Sequence, residues 1–225
     1  MNSNKYKSLL LLLIIVALFN NTIIFAQAVQ YTTTANGLDK FKQTSLITTT
    51  LSPTDASIAT IQMDASKGFQ KMEGFGFALN GGSAALIDQL PSVKKQALLK
   101  EIFGKGKDDL GVNYIRISIG ASDLDAHVFS YDDLPKGETD SLLLKFSLSE
   151  DTLHLIPILK KALVINPSLK IMASPWSPPV WMKTNGSSIG GSLKREYYGV
   201  YADYFVKYLN SMESEGITID AVTVQ

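Results

Sequence analysis

Apolar and polar positions alternate with two different periods along this chain, and the change from one period to the other marks its elements. From Val112 to Ile119 β-branched residues alternate around Arg116, which predicts a strand, and Leu169 to Ala173 and Ile219 to Val224 read the same way. Met72 to Leu79 is a further strand candidate, with glycines that let backbone approach closely. Between these runs the spacing changes to that of helices. Ser92 caps a helix whose Val93, Ala97, Leu98 and Ile102 share a face before Gly104 ends it. A second helix starts at Ser149, Glu150 and Asp151 and runs through Leu155, Leu159 and Leu163, with Pro157 either kinking it or marking its first turn. Tyr197, Tyr201, Tyr204, Tyr208 and Met212 form the stripe of a third helix.

Strands that alternate with helices favour a parallel sheet with crossover helices. A doubly wound sheet would bring a Gly-rich phosphate turn, and Gly74-Phe75-Gly76 is not one, because Leu79 stands at the third glycine position. The longest loops, Gly120 to Phe146 and Ser174 to Glu196, follow strands, as they do in a (β/α)8 TIM barrel. The expected fold is that barrel, with only about the first four βα units present. The final Ala221-Val222-Thr223-Val224-Gln225 reads as a buried strand whose functional residues would sit at or beyond its end, so the chain is expected to be a fragment.

The start of the chain is not fold. Lys5 and Lys7, an apolar block from Leu9 to Phe19 broken by Asn20-Asn21-Thr22, and Ala26-Gln27-Ala28 make a signal peptide over residues 1–28, too short in its apolar run for a stable membrane anchor. Residues 29–70, Thr- and Ser-rich from Tyr31 to Met63, suggest short strands of an attached β structure, and 71–225 is the partial barrel. The 21 basic residues equal the 21 acidic ones, which argues against nucleic acid and suits a neutral substrate. There is no Cys and only two His, His127 and His154, so neither disulfides nor a zinc centre is expected, and no cofactor is called for. Gly186-Ser187-Ser188-Ile189-Gly190 has the outline of a serine nucleophile turn but lacks a preceding strand, a following helix and a later histidine.

The chemistry concentrates in two loops. Ser174-Pro175-Trp176-Ser177-Pro178-Pro179-Val180-Trp181 holds two indoles on a proline-stiffened segment, either as walls for the C–H faces of a sugar or as core anchors. Asp123, after the Arg116 strand, can accept from two neighbouring sugar hydroxyls, or simply form an Asx turn or stand as a solvated loop acid. Arg116 points either into the barrel, where it would need a carboxylate, or into solvent.

Lys71-Met72-Glu73-Gly74-Phe75-Gly76, Asn113-Tyr114-Ile115-Arg116, Ala121-Ser122-Asp123, Phe146-Ser147-Leu148, the Ser174 to Gly186 run and Ala221 to Gln225 together resemble glycoside hydrolase family 30, the glucosylceramidase-like enzymes, in family order. The resemblance implies a (β/α)8 barrel with an attached β structure and retaining hydrolysis of β-glucosides or β-glucans. It implies an acid/base Glu in an Asn-Glu pair closing the fourth strand and a nucleophilic Glu on a later one, both beyond Gln225. Arg116, Asp123 and Trp176 match positions that orient those carboxylates or bind sugar in the innermost subsite. Two departures stand out: Asn80-Gly81-Gly82 lacks an acid usual in the family, and Leu124 replaces an aromatic residue. The rival class is an exported carbohydrate-binding protein without catalysis.

Overall fold

The computed structural model describes residues 27–48 and 64–224. The chain divides into two compact units, Met1–Gly68 and Phe69–Gln225. In the first, β1 (Gln27–Thr32) pairs antiparallel with β2 (Lys42–Thr48), so the expected short strands are there. Residues 1–26, most of the segment read as a signal peptide, lie outside the described residues, whereas Gln27 and Ala28 already belong to the β1 ladder.

The second unit begins with α1 (Gly81–Asp88) and α2 (Ser92–Phe103), followed by β3 (Tyr114–Ile119). Then come α3 (Ser149–Leu153), α4 (Leu155–Ile165), β4 (Lys170–Pro175), α5 (Tyr198–Ser214) and β5 (Ala221–Val222). The three strands are parallel in the order β3-β4-β5. With helices between them they form βα units of the expected kind, as an open sheet rather than a closed barrel.

Packing follows from the strand alternation. Ile115, Ile117 and Ile119 stand in register with Ile171, Ala173 and Pro175, and all are sealed into one apolar core with Leu99, Phe103, Leu155, Ile158, Leu159, Tyr204 and Met212 from the helices. The opposite face carries Tyr114, Arg116 and Ser118 beside Lys170, Met172 and Ser174, without a helix over it.

Several elements differ from expectation. Lys71 to Leu79 runs along β3 but forms only an isolated parallel bridge, Ala78 to Arg116. The ladder slips because Asn113 and Tyr114 both direct their N–H groups to the Phe75 carbonyl, while the Asn113 side chain accepts from Phe75 N at 2.8 Å. The close approach expected of its glycines is real, since a Cβ on Gly76 would stand 1.6 Å from the Tyr114 carbonyl oxygen. Ser92 is not the cap of α2. Pro91 precedes the helix and its carbonyl already accepts from Lys95 N, which leaves Ser92 in the first turn.

Helix α1 has no counterpart in the sequence reading, because two glycines hide its start; Asn80 caps it by accepting from Ser83 N at 2.9 Å. The helix at Ser149 is two helices broken at His154, and Pro157 sits in the first turn of α4, where a missing N–H costs nothing. Among the described residues β5 pairs with β4 alone, and Val222 and Val224 are 41% and 84% exposed.

The long segment after β3 is pinned by Tyr131. Its ring stacks on Tyr208 with nearly parallel planes at 5.5 Å and meets Phe146 tilted at 5.5 Å. Its N–H donates to Tyr204 Oη at 3.0 Å, its carbonyl accepts from Ser147 N, and its hydroxyl donates to the buried Asp151 at 2.6 Å. Burial pushes the Asp151 carboxyl up to about 7, and the Tyr131 hydrogen bond offsets only part of that. The folded state therefore holds this proton after the unfolded chain has released it. The resulting stability is whole below the ordinary carboxylate pKa and drains away as pH rises through about 7.

Replacing Asp151 by Asn keeps an acceptor for Tyr131 but removes the titration. Between pH 4 and pH 8 the wild type should lose on the order of 3 kcal/mol of unfolding free energy relative to Asp151→Asn. Urea denaturation at both pH values measures the difference, and parallel behaviour of the two proteins would contradict this account.

Candidate functional site

Register places the expected site residues along the helix-free face. Ala78, Arg116, Met172 and Ala221 form one rung across it, and Ser118 and Ser174 belong to the next. There Thr223 Oγ1 donates to Ser174 Oγ at 2.6 Å. Trp176 follows β4 directly, continues the alternation of Met172 and Ser174, and is half-buried.

Arg116 is exposed on this face, and among the described residues its guanidinium has neither an ion pair nor a hydrogen bond. The contrast is Lys170 at the other end of the same face, which pairs with Glu73 and has its pKa raised by that contact. An unpaired, always-charged fork in mid-strand is a ready partner for a carboxylate.

Asp123 lies in the loop after β3, exposed and unbonded among the described residues. The turn that it was expected to make on the simpler reading belongs to Asp125, whose Oδ2 accepts from Ser122 N and Ser122 Oγ, both at 2.7 Å. Asp125 and Leu124 also press on Gly81 and Gly82 at the start of α1, where a Cβ would collide with them. The loop is thus fixed by its neighbours, and the Asp123 carboxylate is exposed without a bond among the described residues.

The two indoles part company. Trp181, in the 3-10 turn Val180–Met182, is buried, meets Tyr197 edge-on at 5.0 Å and donates from Nε1 to the Asp132 carbonyl at 2.9 Å. It is a core anchor that ties the loop after β4 to the loop after β3, so of the two roles left open for the indoles Trp181 takes the core one. Trp176 alone keeps a surface to offer. The segment Gly186 to Gly190 is a turn without a following helix, closed by Asn185, which donates to the Ile189 carbonyl and accepts from Ser187 N.

Asp132 is a feature that the sequence reading missed. It is 1% exposed, neither carboxylate oxygen has a partner among the described residues, and burial followed by the charges of Asp140 and Asp133 pushes its pKa up to about 6. The adjacent Asp132-Asp133 pair inside an otherwise mixed loop was the one signal available. A cavity of about 540 Å³ opens between α1, the 124–129 loop and α3, lined by Leu86, Leu124, His127, Glu150 and His154. None of Arg116, Asp123 and Trp176 lines it, so it is separate from the constellation on the sheet face.

Comparison with known proteins shows the family of the chain. The sequence pattern of the Glycosyl hydrolase family 30 TIM-barrel domain matches residues 72–225. An endo-1,6-β-D-glucanase of Neurospora crassa is 37% identical over 163 residues, 69% of this chain and 33% of its own length. The lysosomal acid glucosylceramidase of Mus musculus is 34% identical over 172 residues, 73% of this chain and 32% of its own. Among solved structures, the endo-β1,6-glucanase BT3312 superposes with a TM-score of 0.72 at 36% identity, covering 88% of this chain and 42% of that one. The chain thus spans about a third of the length of the curated relatives it matches.

The separate roles of the indoles are measurable. Trp181→Phe leaves the buried Asp132 carbonyl without its donor and should cost about 1–3 kcal/mol in urea denaturation. Trp176→Phe should change stability by less than about 0.5 kcal/mol. Equal losses would contradict the assignment of Trp181 to the core and Trp176 to the surface.

Proposed function

The chain belongs to glycosyl hydrolase family 30, and from that premise we propose that it supplies the sugar-binding half of an exported, retaining β-glycosidase acting on β-glucosides or β-glucans. What supports this reading is that Arg116, unpaired among the described residues, and Trp176, half-buried just after β4, follow the parity of the same sheet face, with the exposed Asp123 in the loop after β3. A pyranose presents a C–H face that an indole covers and hydroxyls that a carboxylate accepts from. Trp176 stacks on the ring, Asp123 accepts from two of its hydroxyls, and Arg116 orients a catalytic carboxylate.

Retaining hydrolysis needs two carboxyl groups about 5–5.5 Å apart, one as acid/base and one as nucleophile. We assign both to glutamates beyond Gln225, the acid/base directly after β5. The buried carboxylates of this chain do not fill those roles. Asp151 is occupied with Tyr131, and Asp132 is enclosed beneath the Trp181 loop. Substrates in the names of the relatives are a 1,6-linked β-glucan and a glucosylceramide. A glucose unit at the innermost position is common to both, and Trp176 and Asp123 address that unit. No cofactor enters this scheme.

In the full-length enzyme Asp123→Asn keeps the shape and removes the charge that strengthens the hydroxyl contacts. A hydrogen bond to a charged group contributes about 1.5–3 kcal/mol, so kcat/KM on an aryl β-glucoside should fall roughly 10- to 100-fold with thermal stability unchanged. An unaltered kcat/KM would make Asp123 a solvated loop acid.

Export is tested separately. The charged start, short apolar block and small-residue box before β1 direct cleavage near Ala26 or Ala28. N-terminal sequencing of the secreted protein should begin at Gln27 or Val29. A product that retains Met1 and sediments with membranes would overturn it.

A further inference from the structure

Lys183 is a buried cation for which the reading above has no use. It is 6% exposed, no carboxylate pairs with it among the described residues, and burial holds its pKa below the usual lysine value. Its Nζ donates instead to two neutral acceptors, Ser177 Oγ at 3.2 Å and the Ser188 carbonyl at 2.9 Å. An ammonium removed from water and given only neutral partners is costly, so its presence calls for something that it holds in place.

The backbone that carries it is fixed. Lys183 N donates to the Val180 carbonyl, Lys183 bridges Leu193 antiparallel, and the preceding Trp181 and Met182 are core residues. From this base the side chain reaches back to Ser177, the residue next to Trp176, and across to the Gly/Ser turn. Trp176 itself has no ring contact or hydrogen bond of its own among the described residues. Half-buried but without a polar tie of its own, the indole takes part of its orientation from what fixes its neighbour.

We propose that Lys183 is a positioning residue for sugar binding: through Ser177 it holds the Trp176 indole at the end of β4, without touching the sugar. The proposal rests on the reading of Trp176 as the stacking surface. An apolar residue of similar length at position 183 would fill the same space but could hold neither Ser177 nor Ser188.

The test is a double-mutant cycle in the full-length enzyme, with an aryl β-glucoside as probe and tryptophan emission as a second readout. Lys183→Met should lower kcat/KM roughly tenfold and move the emission to longer wavelength as the indole is released. In a Trp176→Ala background the same substitution should change kcat/KM by less than about twofold and leave the emission unmoved. Ser177→Ala, which removes the acceptor beside the indole together with the bond that Ser177 Oγ donates to the Pro178 carbonyl at 3.0 Å, should repeat the coupling in a milder form and serves if Lys183→Met does not fold. An equal loss with and without Trp176 would overturn the proposal. Should Trp176→Ala leave kcat/KM intact, the stacking role of Trp176 falls, while the emission shift still decides whether Lys183 fixes the indole.

Discussion

Tyr131 is the residue on which the arrangement of this chain most depends, because nearly everything that could meet a ligand is loop. The segment after β3 is too long to hold itself, and Tyr131 commits its N–H, carbonyl, hydroxyl and ring to α5, the loop's own end and α3. The next residue then receives the indole of Trp181. A chain of contacts thus joins helix α5 to the loop after β3 and that loop to the one after β4. Tyr131 is satisfied at every polar group, which makes its position specific, whereas the Asp132 carboxylate beside it has no partner among the described residues. Burial takes away the acidity of Asp151, and the hydrogen bond from Tyr131 restores only part of it.

The sheet supplies the other constraint. Isoleucines on one side of β3 are sealed by helices, which leaves the opposite side to Arg116 and the small hydroxyl residues Ser118, Ser174 and Thr223. Alternation with a period of two makes this division unavoidable once one face is buried. Trp176 inherits its position from the same parity. Trp181 lies past the prolines and within the 3-10 turn, which break the parity and send its ring into the core.

That difference explains what the sequence disclosed. Helices α2, α4 and α5 and strands β3 and β4 were legible because each buries one face against a core, and burial imposes a period. Helix α1 was hidden by Gly81-Gly82, although Asn80 three residues ahead of Ser83 was its signal. The extended run before it was legible as an element, but its slipped pairing depends on Asn113, a contact 38 residues away. Which of Asp123 and Asp125 forms the turn, and which of two indoles stays at the surface, depended on neighbours that local spacing does not encode. The family resemblance, carried by short motifs in order, was the most readable feature and agrees with the match over residues 72–225.

The central claim is that the helix-free face beyond β4 is where sugar binds. A crystal structure of the full-length protein soaked with a glucose-derived inhibitor addresses it in one measurement. The account predicts a pyranose ring stacked on Trp176 with two hydroxyls on the Asp123 carboxylate and Arg116 beside a catalytic glutamate. A sugar bound elsewhere, for instance in the cavity between α1 and α3 with Trp176 and Asp123 still in solvent, would contradict it.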